Sequence, residues 1–225
     1  MTPDEGEEQP RNSELEQFAA QVAHDFNNLL TGVMGNLELL QLRAARSGAA
    51  GLDTYIDGAN TSSTRAVEFA QRLLVFSGRM AQAPEPVAVA RLLREVAMRQ
   101  GQRVELRLPD DALTVLADPA ELRGAVLELL NNACEAMRAG GSAPVLSAAA
   151  RGSWVVISVR DDGPGMPPDI QAQARTLLFS TRANGAGRGL GLAIAARIAR
   201  AAGGRLELDS APGAGCEAKL YLPMA

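Results

Sequence analysis

Two glycine-bearing turns in the C-terminal half restrict the possible folds most. Asp161–Gly165 directly follows an alternating apolar stretch at residues 154–160, which predicts a strand. A glycine run at residues 185–191 opens an Ala/Ile/Leu-rich stretch from Leu190 to Ala202, which predicts a helix. Glycines at such junctions let the backbone approach a ligand, and a helix N-terminus offers free N–H groups to an anion. With the loop predicted at residues 166–186, this order indicates a nucleotide pocket with a lid.

Composition limits the class of protein. The chain has 225 residues, 47% of them apolar, which is enough for one or two domains with their own core. Cys134 and Cys216 have no metal-type spacing, which favours buried thiols in a reducing compartment. The net charge of −4 disfavours a nucleic-acid partner. Since no apolar run approaches the ~20 residues of a membrane helix and no signal peptide opens the chain, we predict a cytoplasmic protein without membrane insertion.

The N-terminal region predicts a helical hairpin over residues 13–83, preceded by a disordered acidic tail at residues 1–12. Ser13 and Glu16 form a capping box, and a second helical pattern covers about residues 52–78. The first helix carries an apolar stripe at Leu15, Phe18, Val22, Phe26, Leu29, Val33, Leu37 and Leu40. A two-helix hairpin buries little surface alone, so we expect a homodimer that completes a four-helix bundle.

His24 is the only histidine in the chain. It is two residues from both Val22 and Phe26, and so about 200° round the helix from each, away from the apolar stripe. Asp25 is adjacent, and Asn28 lies one turn further on the same face. A carboxylate near one ring nitrogen fixes the tautomer and makes the other nitrogen more nucleophilic. An isolated histidine would be an ordinary surface residue, but these neighbours favour a chemical role.

The rest of the chain predicts a linker at residues 84–88, marked by Pro84 and Pro86, and a layered α/β domain at residues 89–225. Helices are expected on one face of a mostly antiparallel sheet, and Asp118 is expected to cap a helix that begins at Pro119. The predicted elements are a helix at 89–99, strands at 103–108 and 114–117, a helix from 119, strands at 145–151 and 154–160, a helix at 190–202, and strands at 205–210 and 215–222.

The helix after Asp118 contains two consecutive asparagines, Asn131 and Asn132. Asparagine is unfavourable inside a helix, so two consecutive asparagines need an explanation. One explanation is that both are simply exposed to solvent at a small cost in stability. Glu128 and Asn132 are four residues apart and share a face, which we expect to point into the pocket. Carboxylate and carboxamide oxygens suit Mg²⁺, a hard cation.

Five segments together resemble the transmitter core of bacterial sensor histidine kinases. They occur in the family's order and cover nearly all of the chain from Glu14 onward. The segments are Val22–Leu30 (the phosphoacceptor helix), Glu128–Ala133 (the asparagine helix), Asp161–Gly165 (the adenine turn), Leu178–Arg182 (the phenylalanine box) and Gly187–Leu192 (the second glycine box). The resemblance implies an α+β multidomain chain, in which a dimeric helical hairpin precedes a Bergerat-type α/β sandwich that binds ATP.

The same resemblance implies catalytic roles. His24 would take the γ-phosphoryl group, and Asp25 would accept the proton of its ring. Asn132 would bind Mg²⁺, and Glu128 would hold a Mg-bound water or polarise the attack. Asn28 would orient water for dephosphorylation of the partner protein.

The resemblance also implies a nucleotide site in which Asp161 accepts a hydrogen bond from the adenine amino group. Arg182 stands where the family usually has lysine, and its charge could still meet a phosphate. Arg188 replaces the usual threonine, which places a large cation near the phosphates. The residues implied to contact ATP are Asn132, Asp161, Gly163, Gly165, Thr181, Arg182, Gly187, Gly189, Leu190 and Gly191.

The resemblance implies an ATP-dependent protein-histidine kinase of a two-component system. Its partner would be the receiver domain of a response regulator, and a separate sensor protein could supply the stimulus. Three alternatives stay open: a non-autophosphorylating relay with a degenerate ATP domain, a GHKL-type ATPase, and a protein that acts mainly as a phosphatase through Asn28. Measured ATP binding would exclude the relay.

Overall fold

A computed structural model describes most of the chain, which divides into two compact units, Met1–Met80 and Ala81–Ala225. The described residues are 22, 26–27, 30–42, 44, 46, 52–78, 81–100, 103–108, 112–137, 142–180 and 189–225. No helix within these ranges is long and apolar enough to cross a lipid bilayer.

The first unit is helical in its described part, as its apolar periodicity predicts. Residues 30–42 form a continuous helical stretch, and helix α1 spans Asp53–Phe76. The apolar residues of α1 that are buried are Ile56, Ala70, Leu73 and Phe76. By contrast, four members of the predicted stripe, Val22, Phe26, Val33 and Leu40, are 37–47% exposed in the single chain. The capping box at Ser13 lies outside the described residues.

The second unit contains the remaining elements. They are β1 (Glu85–Ala88), α2 (Val89–Arg99), β2 (Glu105–Arg107), β3 (Thr114–Ala117), α3 (Pro119–Ala136), β4 (Val145–Arg151), β5 (Trp154–Asp161), α4 (Pro168–Gln173), α5 (Gly191–Ala201), β6 (Arg205–Ser210) and β7 (Cys216–Pro223). The predicted α/β organisation is confirmed.

The main sheet of the second unit has the strand order β2-β4-β5-β7-β6, and β1 and β3 form a separate two-stranded sheet. Only β2 and β4 run parallel; the other pairs of the main sheet are antiparallel, as predicted. Helices α3 and α5 pack against each other and against this sheet. Their buried aliphatic residues close a core with the sheet that includes Leu129, Leu130, Ile194, Ile157 and Leu220.

The predicted linker at residues 84–88 is wrong in its main part. Glu85–Ala88 form strand β1, whose Glu85 pairs with Ala117 of β3, and the compact units divide earlier, after Met80. Proline cannot donate a ladder hydrogen bond, but an edge strand tolerates it. Because β1 has only one neighbouring strand, Pro86 fits there.

The loop predicted at residues 166–186 also contains a short helix, α4. Pro168 is its first residue and Pro167 precedes it. Proline at the first helical position loses no intrahelical bond and has the required φ. The two prolines therefore start a helix here, and the prediction that they belong to a loop is wrong.

Candidate functional site

A cavity of about 400 Å³ lies in the second unit, next to the acidic turn. Its walls come from α3, from the ends of β5 and β7, from α4 and from the start of α5. A volume of this size is typical of a pocket for a small organic ligand. The two glycine-bearing turns predicted to form one pocket therefore do meet at one site.

Asp161, the last residue of β5, is the buried acceptor of this cavity. It is 7% exposed and lines the cavity wall, and the backbone N–H of Gly163 donates to its Oδ1 at 2.9 Å. Burial raises the pKa of its carboxyl, and the backbone amides of Gly163 and Cys216 partly oppose that rise. A carboxylate held inward in this way can accept a hydrogen bond from an amino group of a ligand.

The surroundings of Asp161 are largely apolar. The aliphatic and thioether side chains of the lining include Leu129, Ala133, Val159, Met166, Ile170 and Leu192. Apolar walls with one fixed acceptor suit a flat heteroaromatic ring that carries an exocyclic amino group. The cavity thus fits the adenine predicted for it.

The glycines of the acidic turn are required by close packing. Gly165 has φ +67°, and a Cβ there would lie 1.9 Å from the carbonyl oxygen of Ala211. A Cβ at Gly163 would lie 2.8 Å from Oδ1 of Asp161 and 2.9 Å from Cβ of Ala136. Gly165 lines the cavity, whereas Gly163 shapes the turn that holds Asp161. A direct contact between Gly163 and a ligand stays a prediction.

Gly189, in the second glycine run, packs against the backbone of Leu178 and Phe179. Gly189 has φ +64°, and its carbonyl accepts a hydrogen bond of 3.0 Å from the backbone N–H of Leu178. A Cβ at Gly189 would lie 2.4 Å from the carbonyl oxygen of Phe179, so only glycine permits this approach. Gly189 and Gly191 line the cavity, but Leu190 is fully buried and is not part of its lining.

The two consecutive asparagines of α3 have different environments. Asn132 lines the cavity. Asn131 is exposed, and its Oδ1 accepts a hydrogen bond of 2.9 Å from the side chain of Gln100. Glu128 is half-buried and does not line the cavity, but Glu135, to which the sequence analysis gave no role, does. Asn132 and Glu135 are three residues apart and so lie on one face of α3.

Cys216 is a second lining residue that the sequence analysis missed. It is the partner of Asp161 in the antiparallel pair of β5 and β7. Burial, followed by the charge of Asp161, raises the pKa of its thiol to about 11, so the thiol is protonated at neutral pH. Sequence alone could not place it because the register between β5 and β7 brings together residues 55 positions apart.

Several predicted site residues lie outside the described part of the chain. They are His24, Asp25, Asn28, Thr181, Arg182 and Gly187. The roles implied for them stay predictions.

Family models match both units of the chain. Residues 14–80 match the His Kinase A (phospho-acceptor) domain. Residues 117–225 match the histidine kinase-, DNA gyrase B- and HSP90-like ATPase family. The two matches do not overlap, and residues 81–116 lie between them.

Individual relatives agree with the family models. The chain is 30% identical to the sensor kinase CckA of Brucella abortus over 92% of its length, but this covers only 24% of that relative. It is 27% identical to the adaptive-response sensory kinase SasA of Synechococcus elongatus, covering 95% of this chain and 60% of that protein. The chain thus spans a quarter to three fifths of these two relatives.

Two solved structures are similar to this chain. Full-length ShkA in complex with AMPPNP superposes with a TM-score of 0.74 at 28% identity, covering 93% of this chain and 46% of that one. The mycobacterial sensor histidine kinase MprB matches 63% of this chain with a TM-score of 0.52 at 27% identity.

Proposed function

The chain belongs to the sensor histidine kinases, whose transmitter core it carries, and from this premise we propose that it is an ATP-dependent protein-histidine kinase of a two-component system. The observation that supports the proposal most is that the buried Asp161 and the partly exposed Asn132 line the same cavity. A relative solved with AMPPNP, an ATP analogue, supports the choice of nucleotide.

ATP would bind with its adenine between the apolar walls and its amino group on Asp161. The β5–α4 turn and the start of α5, with Gly165, Gly189 and Gly191, would bring backbone close to the nucleotide. Gly187, Thr181 and Arg182 of the lid would contact the phosphates. Asn132 would hold Mg²⁺, which neutralises charge on the phosphates, and its carboxamide oxygen is a ligand type that Mg²⁺ uses.

The reaction would form a bond between a ring nitrogen of His24 and the γ-phosphorus while the bond to the β-phosphate oxygen breaks and ADP leaves. Asp25 would take the ring proton, and Glu128 would support the attack through water or by polarisation. Phosphoryl transfer depends mainly on positioning and charge stabilisation. For this chemistry the chain would divide into a phosphoacceptor hairpin, predicted from residue 13 and ending by Met80, and a catalytic unit that begins at Ala81.

The phosphoryl group would then pass to an aspartate in the receiver domain of a response regulator. Asn28 would orient a water molecule that hydrolyses this aspartyl phosphate and releases inorganic phosphate. We propose a cytoplasmic homodimer whose stimulus comes from a sensory region or a separate sensor protein. The exposed stripe of Val22, Phe26, Val33 and Leu40 supports the dimer, because apolar side chains so arranged need a partner surface.

The relay with a degenerate ATP domain is not favoured. That alternative needs a nucleotide site that has lost its polar groups, and here both Asp161 and Asn132 line an open cavity. A GHKL-type ATPase without a phosphoacceptor is not favoured either, because residues 14–80 match a phosphoacceptor domain.

The test is incubation with γ-labelled ATP and Mg²⁺, in which wild type should take acid-labile label. His24→Ala should bind ATP but take no label. Asn132→Ala should lose labelling, and the neighbouring Asn131→Ala should retain it, because only Asn132 lines the cavity. Equal labelling of His24→Ala and wild type would refute the proposed acceptor.

A further inference from the structure

Asp118, between β3 and α3, uses both of its carboxylate oxygens. Its Oδ1 accepts from the backbone N–H groups of Ala120 at 2.8 Å and Glu121 at 3.3 Å, which is the helix cap expected from sequence. Its Oδ2 accepts from the backbone N–H of Gln82 at 2.6 Å. The side chain is 7% exposed, so solvent competes little for these bonds. Only the second bond joins distant parts of the chain.

Gln82 is the second residue of the C-terminal unit, which begins at Ala81. Regular structure begins at Glu85, where β1 pairs with β3. Without the bond at Gln82, the first fixed residue after the phosphoacceptor unit would be Glu85. Residues 82–84 would then lengthen the connection, which adds about 10 Å of reach at 3.3–3.6 Å per residue.

We propose that Asp118 is a positioning residue that ties the connection between the two units to the start of α3. Helix α3 also carries Asn132, which lines the cavity. The carboxylate of Asp118 therefore holds both the N-terminus of α3 and the backbone of Gln82. In this proposal the tether keeps the connection short enough to hold bound ATP at a high effective concentration near the phosphoacceptor. This inference rests on the proposed kinase function, because the length of the connection matters only if a phosphoryl group passes from ATP in one unit to the histidine in the other.

Asp118→Asn separates the two roles of the side chain. Asparagine caps a helix about as well as aspartate, so α3 keeps its N-terminal bond. Its amide nitrogen replaces the second oxygen and cannot accept from Gln82. We expect the ATP affinity of Asp118→Asn to stay within about twofold of wild type. The labelling rate at saturating ATP should fall about threefold to tenfold, because a longer connection lowers the effective concentration of bound ATP at the phosphoacceptor.

Variants at Gln82 test the same bond from its donor side. Gln82→Pro removes the backbone N–H and should reproduce the rate loss, whereas Gln82→Ala keeps the N–H and should match wild type. Combining Asp118→Asn with Gln82→Pro should cost no more than either alone, because both break one bond. Amide exchange at Gln82 should be slow in wild type and faster in Asp118→Asn.

Three results would overturn the inference. Labelling of Asp118→Asn and Gln82→Pro at the wild-type rate would show that the tether has no part in transfer. A loss of ATP affinity in Asp118→Asn as large as its loss of rate would place the effect on the nucleotide helix. Additive effects in the double variant would show that the two residues act separately. Wild type without label would instead refute the kinase function itself, and the inference with it.

Discussion

The two units bury their apolar surface to different extents. In the second unit, α3, α5 and the main sheet enclose side chains such as Leu129, Ile157 and Ile194 almost completely. In the first unit, Val33 and Leu40 are each 47% exposed. The second unit therefore closes its core with its own chain, while the first needs another surface to cover its helices.

This difference matches the division of labour in the proposed kinase. A nucleotide site needs fixed donors and acceptors, and the close-packed turn at Gly163 and Gly165 supplies that rigidity around Asp161. A phosphoacceptor helix has to present one side chain to several partners in turn. An open helical surface is compatible with that task.

The largest expected effect compares one glycine in each unit. Gly165→Ala should destabilise the second unit by about 3 kcal/mol or more, because its Cβ would overlap the Ala211 carbonyl at a positive φ. Gly35 lies in the helical stretch at residues 30–42 and has open space around it. Gly35→Ala should therefore stabilise the first unit by about 0.5–1 kcal/mol. Thermal unfolding followed by circular dichroism measures both, and a destabilised Gly35→Ala would contradict the open surface there.

The second prediction compares adjacent carboxylates of the acidic turn. Asp161→Asn should weaken ATP binding roughly 100-fold, because it replaces a buried charged acceptor in the cavity. Asp162 is exposed and accepts a hydrogen bond from the hydroxyl of Ser142, so Asp162→Asn should bind almost as wild type does. Isothermal titration calorimetry with a non-hydrolysable ATP analogue gives both affinities. Similar losses in the two variants would mean that the cavity is not the adenine site.

The third prediction tests whether a second chain covers the exposed stripe. Val33→Asp should raise the dimer dissociation constant at least about tenfold, because it places a charge in a helix–helix interface. Leu39 is 59% exposed but lies about 120° round the helix from Val33, off the stripe. Leu39→Asp should therefore leave the dimer intact. Sedimentation velocity over a range of concentrations distinguishes these outcomes, and equal weakening by both variants would refute the assigned face.

The smallest expected effect concerns the stability cost of Asp161. Burial raises the pKa of its carboxyl from 3.8, so its contribution to stability is complete below that value and is lost as the pH rises through the folded-state pKa. At neutral pH the buried charge costs stability. Asp161→Asn should therefore melt slightly higher than wild type at pH 7, by about 2–4 °C for each 1 kcal/mol gained. The difference should disappear below about pH 4, and a lower melting temperature at pH 7 would contradict it.

Local patterns in the sequence predicted most elements of the second unit. The Asp118–Pro119 start of α3 depends on neighbouring residues, and the structure has the cap as predicted. Strand β1 and helix α4 were missed because proline is compatible with a loop, with an edge strand and with the first position of a helix. Sequence alone does not show which of these surroundings applies.

The candidate site was predictable where its residues share one motif. Asp161, Gly165, Asn132, Gly189 and Gly191 were identified in this way and line one cavity, whereas Leu190 is buried outside its lining. Cys216 and Glu135 were missed because strand register and helix rotation bring them to the cavity, and neither belongs to a local motif. The second bond of Asp118 was missed for the same reason, since its donor lies 36 residues away.

The most direct test of the account is to locate the phosphoryl group after incubation with Mg²⁺ and ATP. Tandem mass spectrometry at neutral pH, which preserves phosphohistidine, would identify the modified residue in the intact wild-type chain. The account predicts phosphorylation at His24 in wild type and strongly reduced phosphorylation of that residue in Asp161→Asn when ATP is sub-saturating. A phosphoryl group on a serine, threonine or aspartate, or no modification of a chain that binds ATP, would contradict it.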